Sequence, residues 1–403
     1  MACPKQVEWQ RSHRYIEFED YHRPFLFPLE FMSLAIVLVL AVLFNFATII
    51  TILRVPSLRQ KLGNMLIINL CVMDLITSLG SMLFSFIDIF YEGYFLCAEA
   101  FCRIQGGLAV LGCFGNFAAI LLIALHQFIG VFAADKTTIT SKHIGLMIVG
   151  CWVFTLAMVI PSVTGIAATS VYTHGNHHCS PTWVQSCPYY ITCVSIIYVI
   201  TLPSIIICYC TLYWKVKTSR EQLVIHEDKV QMDDRNLISK DQGTTSTRTK
   251  HDTSTTDQAI INDLSDSSSH LNSEVSMTVV KNSSPYSQAS YKKLSAVKKS
   301  GSCQSGTSKT KSATSAKKKV TQSHEVHFRI ALAGGLLCVT TVVCWTPFFV
   351  VYPCIRNEEN SHTLSVSAMW LAYTNSVLDP IIYAIFDKKL RKAILNHFHF
   401  LWR

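Results

Sequence analysis

Residues 104–134 read IQGGLAVLGCFGNFAAILLIALHQFIGVFAA, without a single Asp, Glu, Lys or Arg. A helix needs about 20 such residues to cross a hydrocarbon layer roughly 30 Å thick. A soluble core helix of this length would carry a polar face, and this stretch has none. Residues 144–173, 188–214 and 330–355 are free of charge in the same way. Composition agrees with them: 50% of the chain is apolar and 15% is charged, against roughly 25% charged in an ordinary globular protein. The 403 residues therefore read as an all-α membrane protein rather than a set of soluble domains.

Working outward from these stretches gives a seven-transmembrane helix bundle. The spans are expected near 31–53, 65–87, 104–133, 144–167, 190–214, 329–353 and 364–386. Residues 1–30 contain no apolar core of a signal peptide, so the first span is expected to serve as its own insertion signal. Orientation follows from the basic residues of the short loops. One side holds Arg54, Arg59, Lys61, Lys136, Lys142, Lys388, Lys389, Arg391 and Lys392. The other holds little beyond Arg103 and Arg356, among Asp88, Glu92, Glu99, Glu358 and Glu359. The expected topology is an extracellular tail (1–30), helices one to five (31–215), a third cytoplasmic loop (216–327), helices six and seven (328–386) and a cytoplasmic end (387–403). A multi-pass plasma-membrane location goes with it.

The loop 216–327 is polar, rich in Ser, Thr and Lys, and poor in clusters that could form a core, so it is expected to be disordered. It holds much of the net charge of +9, which accordingly gives no reason to expect nucleic acid as a partner. Two readings stand side by side: a solvated tether, and a docking loop whose field phosphorylation reverses. Of the 15 cysteines, those inside the spans read as small packing residues. Cys3, Cys97, Cys102, Cys179, Cys187 and Cys354 fall on the oxidising side, where disulfides form.

Several markers together resemble a rhodopsin-like (class A) G-protein-coupled receptor. They are Asn45, Asn69-Leu-Cys-Val-Met-Asp74, Cys102, Trp152, Pro203, Cys344-Trp-Thr-Pro347 and Asn375-Ser-Val-Leu-Asp379-Pro-Ile-Ile-Tyr383. Phe386-Asp-Lys-Lys-Leu-Arg391 is similar to the family's short amphipathic helix along the membrane surface. The resemblance implies a disulfide between Cys102 and Cys179; Cys97 with Cys187 is a second expected pair only because both are exterior and left over. It implies an activation switch made of Trp345, Pro347, Pro380 and Tyr383. A proline inside an apolar span breaks one backbone hydrogen bond and makes the kink about which helix six can swing. It also brings Asp74, Asn116, Asn375, Ser376 and Asp379 to one place, as a sodium or shared-proton site or as a fixed polar network. No cofactor is expected beyond that sodium ion.

The ligand pocket implied by the resemblance comprises Ala109, Val110, Cys113, Ser195, Trp345, Phe348, Phe349, Met369, Trp370 and Tyr373, a lining suited to a small lipophilic ligand. A retinal Schiff base is excluded, because Tyr373 stands where the opsins need a Lys. The sixth and seventh helices look like those of biogenic-amine receptors, yet Ala109 stands where those receptors place an Asp. Asp88, high on the second span, has two readings: a substitute counter-ion for an amine, or a solvated rim residue. At the G-protein face the family's acid-Arg-aromatic triplet is replaced by His126, Gln127 and Phe128.

Two functions follow from these residues. One is a receptor passing an extracellular small-molecule signal to a heterotrimeric G protein, with arrestin-like proteins and receptor kinases as further partners. The other is an atypical or decoy receptor without nucleotide exchange, motivated by Gln127. No catalytic constellation points to an enzyme, and neither inverted repeats nor rings of charge point to a transporter or channel.

Overall fold

Helix α1, Leu26–Arg54, shows how each span is cut for lipid. Leu34, Leu38, Ala41, Asn45, Thr48 and Ile52 recur at helical spacing and are buried, while Leu29, Met32, Ile36, Val39, Leu43 and Phe46 point outward. An apolar outer face and a partly polar inner stripe invert the order of a soluble helix, as a hydrocarbon solvent requires. The computed structural model describes residues 26–91, 95–96, 98–132, 139–173, 177–183, 185–244, 306–352 and 362–401.

After a single turn at Pro56–Arg59, α2 runs Leu62–Phe90, with a wider π turn at Thr77–Met82. Helix α3, Glu99–Phe132, is buried along most of its middle. Its small residues allow close approach to α2: a methyl on Gly112 would overlap Thr77 and one on Gly115 would overlap Met73. Helix α4 spans Ser141–Thr164 and stops at Gly165, whose φ of 76° turns the chain into the left-handed region open to glycine. The chain then forms an antiparallel hairpin, β1 (Ser170–Thr173) with β2 (His178–Pro181), pairing Tyr172 with Cys179. The Cys102–Cys179 disulfide, with Cα atoms 5.3 Å apart, fastens this hairpin to the outer end of α3.

Helix α5 crosses as Cys187–Thr218 and widens to a π turn at Ser195–Thr201. Helix α6, Gly306–Val351, crosses as Phe328–Val351 and contains Pro347. Helix α7, His362–Phe386, contains Pro380. Helix α8, Lys388–Leu401, starts at Asp387, whose carboxylate caps the N–H groups of Lys389 and Leu390 and meets Lys61 at 3.2 Å. Its Leu390 is buried while its lysines stay exposed, as an amphipathic surface helix requires.

Two observations bear on the expected loop and spans. Within 216–327, expected to be a disordered loop, the helix of α5 continues to Thr244 and α6 begins at Gly306. Residues such as Glu221, Gln222 and Lys229 are good helix formers and extend a helix that the apolar span has already nucleated. Residues 245–305 lie outside those described. The second concerns hydropathy. Among the described residues six helices are long and apolar enough to cross a membrane, and α7 is not one of them. Its 25 residues suffice in length, at about 37 Å. Ser365, Asn375, Ser376 and Asp379 lower its hydropathy, and all four are buried.

Neighbouring glycines in α6 provide a packing test. A methyl on Gly334 would overlap the ring of Tyr209, while nothing lies within 4 Å of one on Gly335. Gly334→Ala is expected to lower the unfolding midpoint of the purified protein. Gly335→Ala should leave it unchanged or raise it, by up to about 1 kcal/mol of helix propensity; differential scanning fluorimetry distinguishes the two.

Candidate functional site

A polar cluster sits in the middle of the bundle. Asn116 on α3 donates through Nδ2 to Asp74 Oδ1 of α2 at 2.9 Å and to Asp379 Oδ2 of α7 at 3.0 Å. Asn375 donates to Asn116 Oδ1 and Asp379 Oδ2, each at 3.2 Å. Ser376 is buried beside them, and its carbonyl accepts from Asn45 at 2.8 Å. Asp74 and Asp379 are essentially unexposed, and Asp74 Oδ2 and Asp379 Oδ1 have no hydrogen-bond donor among the described residues. Two carboxylates joined through one amide in a low-dielectric setting need a compensating proton or cation. The free oxygens are hard donors of the kind a small cation takes. The residues therefore fit a sodium ion, which Asp74 and Asp379 would hold and which would supply that compensating charge.

Further out lies a cavity of about 30 Å³. Seven of the expected pocket residues line it: Ala109, Val110, Cys113, Trp345, Phe348, Phe349 and Met369. Three do not. Trp370 turns toward α1 and donates to Ser33 Oγ at 3.1 Å. Tyr373 turns toward α2, with its hydroxyl 3.0 Å from Ser81 Oγ and 3.2 Å from Ser85 Oγ. Ser195 begins the π turn of α5 and is not among the lining residues. The lining also includes Phe114, His178, Ser180, Pro181 and Trp183, which the sequence reading missed. The Cys179-Ser-Pro-Thr-Trp183 segment beside a bridging cysteine was the available signal that this loop dips into the bundle.

The hairpin roofs the cavity through specific polar bonds. Cys179 N–H donates to Gln105 Oε1 at 2.8 Å, and Gln105 Nε2 donates to Ser85 Oγ at 2.9 Å. His178 Nδ1 lies 3.0 Å from the Tyr373 hydroxyl. Burial holds the His178 imidazole down to about 3, far below the ordinary histidine range. The adjacent His177, at a positive φ of 48°, places Nδ1 3.1 Å from Asp88 Oδ2. Asp88 also accepts from Tyr172 at 2.7 Å and from the Leu96 N–H at 2.9 Å. The reading of Asp88 as a solvated rim residue is thereby corrected: it is fully buried under the hairpin, because the loop supplies partners that its sequence position does not reveal. Cys187 is disulfide-bonded; Cys97, its expected mate, lies outside the described residues.

Trp345 stands edge-on to Phe348, with centroids 6.3 Å apart. Tyr383 is buried with its hydroxyl unpaired among the described residues. At the end of α3 far from the disulfide the His126 ring lies against Gly63, and Gln127 Oε1 is buried without a hydrogen-bond partner among the described residues.

Comparison with known proteins gives concordant results. The sequence profile described as 7 transmembrane receptor (rhodopsin family) matches residues 44–383. The G-protein coupled receptor moody of Drosophila melanogaster is 23% identical over 382 residues, covering 89% of this chain and 49% of the relative. The chain thus spans about half the length of that relative. The 5-hydroxytryptamine receptor 4 of Rattus norvegicus is 22% identical over 376 residues, covering 90% of this chain and 73% of the relative. The crystal structure of squid rhodopsin superposes with a TM-score of 0.62 at 16% identity, over 93% of this chain and 86% of that one.

Two measurements probe the site. Asp74→Asn is expected to change basal output or ligand affinity several-fold and to abolish dependence on sodium, read in sodium against choline medium. Unchanged behaviour at normal surface expression would leave the cluster as fixed packing. For the roof, a histidine whose folded pKa is depressed stabilises fully above its unfolded pKa of about 6.5 and loses that contribution as pH falls toward 3. By pH 5 the loss reaches about 2 kcal/mol, so the unfolding midpoint should drop between pH 7 and 5. His178→Asn should flatten that slope.

Proposed function

We propose that this chain, which belongs to the rhodopsin family of seven-transmembrane receptors, carries an extracellular small-molecule signal to cytoplasmic G proteins at the plasma membrane, with its N-terminus outside. One observation supports the reading above others. A single cavity is walled at once by the β1–β2 hairpin, α3, α6 and α7, with Trp345 of the proline-containing α6 in its lining. A ligand that fits one arrangement of these walls better than another shifts the balance between them, and only such differential contact can drive a change. Pro347 lies two residues beyond Trp345, so a displaced indole acts where the helix has lost a backbone hydrogen bond. The sodium or proton compensated by Asp74 and Asp379 would favour one arrangement and resist the other.

The named relatives include receptors for 5-hydroxytryptamine and tyramine. The present cavity has an aromatic wall in Trp345, Phe348 and Phe349 and offers Ala109 where the resemblance to biogenic-amine receptors implies an Asp.

A second reading has its own support. Gln127 replaces the cytoplasmic Arg of the family, and its side-chain oxygen is buried without a hydrogen-bond partner among the described residues. A long cation that could reach into a partner is missing there. In this reading the protein recruits arrestin-like partners and kinases without promoting nucleotide exchange.

A second-messenger panel comparing the native chain with Gln127→Arg separates the two. Ligand-independent output in the native chain, raised only modestly by Gln127→Arg, supports signalling through G proteins. Output that appears only in the variant, by roughly tenfold or more, at equal surface expression supports the decoy.

A further inference from the structure

Among the described residues, the lining of the outer cavity contains no Asp, Glu, Lys or Arg. Its one imidazole, His178, is fully buried and stays neutral at physiological pH. The nearby carboxylates are already engaged. Asp88 serves Tyr172, His177 and the Leu96 N–H, and Asp74 and Asp379 are bridged by Asn116, one helical turn beyond Cys113. A cation placed here would lose its hydration and meet no counter-charge, an outcome that costs several kcal/mol.

Hydrogen-bond bookkeeping gives the complementary half of the argument. Trp183, in the roof, is 7% exposed, and Trp345, in the α6 wall, is 4% exposed. The indole N–H of each is buried and has no acceptor among the described residues. Buried indole N–H groups in folded proteins usually find a partner. An indole nitrogen only donates, and an ammonium group also only donates. Two donors that lack acceptors therefore call for a ligand that brings oxygen lone pairs, and an amine would set donor against donor.

Resting on the receptor reading of this cavity, we propose that its ligand is an uncharged, compact aromatic or lipophilic molecule bearing carbonyl- or ether-type acceptors, held by the indole N–H groups of Trp183 and Trp345. Phe348 and Phe349, themselves edge-to-face at 5.6 Å, supply the walls for a flat ring. The cavity of about 30 Å³ has room for little more than a pair of water molecules, so the ligand must part the roof. Trp183 is the wall element placed to move. It follows β2 in the loop, and its ring is stacked on Tyr189 at 5.8 Å and edge-on to Tyr190 at 5.6 Å, with no side-chain hydrogen bond among the described residues.

The test uses the purified full-length chain in lipid nanodiscs and two probes of the same skeleton, acetophenone and α-methylbenzylamine. Binding is followed by saturation-transfer NMR and by the shift in unfolding midpoint. The ketone is expected to bind more tightly than the amine. Trp183→Phe, which keeps the ring and removes the N–H, should weaken the ketone roughly 3- to 10-fold, the worth of one buried hydrogen bond. Ala109→Asp should reverse the preference toward the amine. Retention of the Cys102–Cys179 bridge on peptide mapping certifies folding in each variant. Tighter or equal binding of the amine to the native chain, binding of neither probe, or a ketone affinity indifferent to Trp183→Phe overturns the assignment. None of these readouts involves signalling, so the receptor reading itself stands or falls separately, on the second-messenger panel.

Discussion

Lipid offers no hydrogen bonds, and that constraint governs where every polar group of this chain is placed. Backbone groups are satisfied within helices, and polar side chains can be kept only where another helix supplies a partner. Asn45 bonds the Ser376 carbonyl, Trp152 donates to Asn69 at 3.1 Å, and Tyr198 reaches Thr346 at 3.0 Å. Each of these bonds joins two different spans. Removing one partner strands the other in a medium that cannot solvate it, which is why such bonds fix helix rotation as well as helix proximity.

Helix α2 shows the consequence most fully. Asp74, Ser81 and Asp88 are seven residues apart in sequence, which returns an α-helix close to the same face. All three are buried. Asp74 joins Asn116 at the centre, Ser81 meets Tyr373 in the middle, and Asp88 binds Tyr172 and His177 beneath the hairpin. One stripe of one helix thus touches the polar core, the pocket region and the roof. The π turn at Thr77–Met82 begins just after Asp74 and includes Ser81, so a local change of pitch sets the angle at which Ser81, Ser85 and Asp88 are presented. Local π turns of this kind recur at functional sites.

How far the sequence revealed this depends on the kind of pattern involved. Uninterrupted apolar runs announced most spans, because length and charge are one-dimensional properties. The DPxxY run marked α7 even though the helix is too polar to stand out by hydropathy. Ala109, Cys113, Trp345, Phe348 and Met369 were legible through the resemblance to the receptor family, which implies the pocket-facing side of each helix. Trp370 and Tyr373 came from the same resemblance, yet their hydrogen bonds draw them to Ser33 and to Ser81 and Ser85. His178, Trp183 and the buried state of Asp88 depend on where a loop docks, and no periodicity encodes that. The extension of α5 to Thr244 was hidden for another reason: a solvated helix and a solvated coil draw on the same polar residues.

The roof and the core are therefore parts of one arrangement. From the hairpin, Cys179 N–H bonds Gln105, Gln105 bonds Ser85, Ser85 lies within hydrogen-bond distance of Tyr373, and Tyr373 meets His178 of the same hairpin. The ring closes through α3, α2 and α7 and returns to β2, so lifting the hairpin breaks bonds on three helices together. Tyr373 sits two residues before Asn375 on α7, and Asn375 donates into the Asp379 cluster. A rotation of α7 that frees Tyr373 from Ser81 necessarily moves Asn375 and Asp379 relative to Asn116. Rigid helices can carry such coupling when their contacts have two discrete arrangements. The neutral His178 that seals the roof and the compensated carboxylate pair at the centre are, in that sense, two ends of the same set of helix contacts.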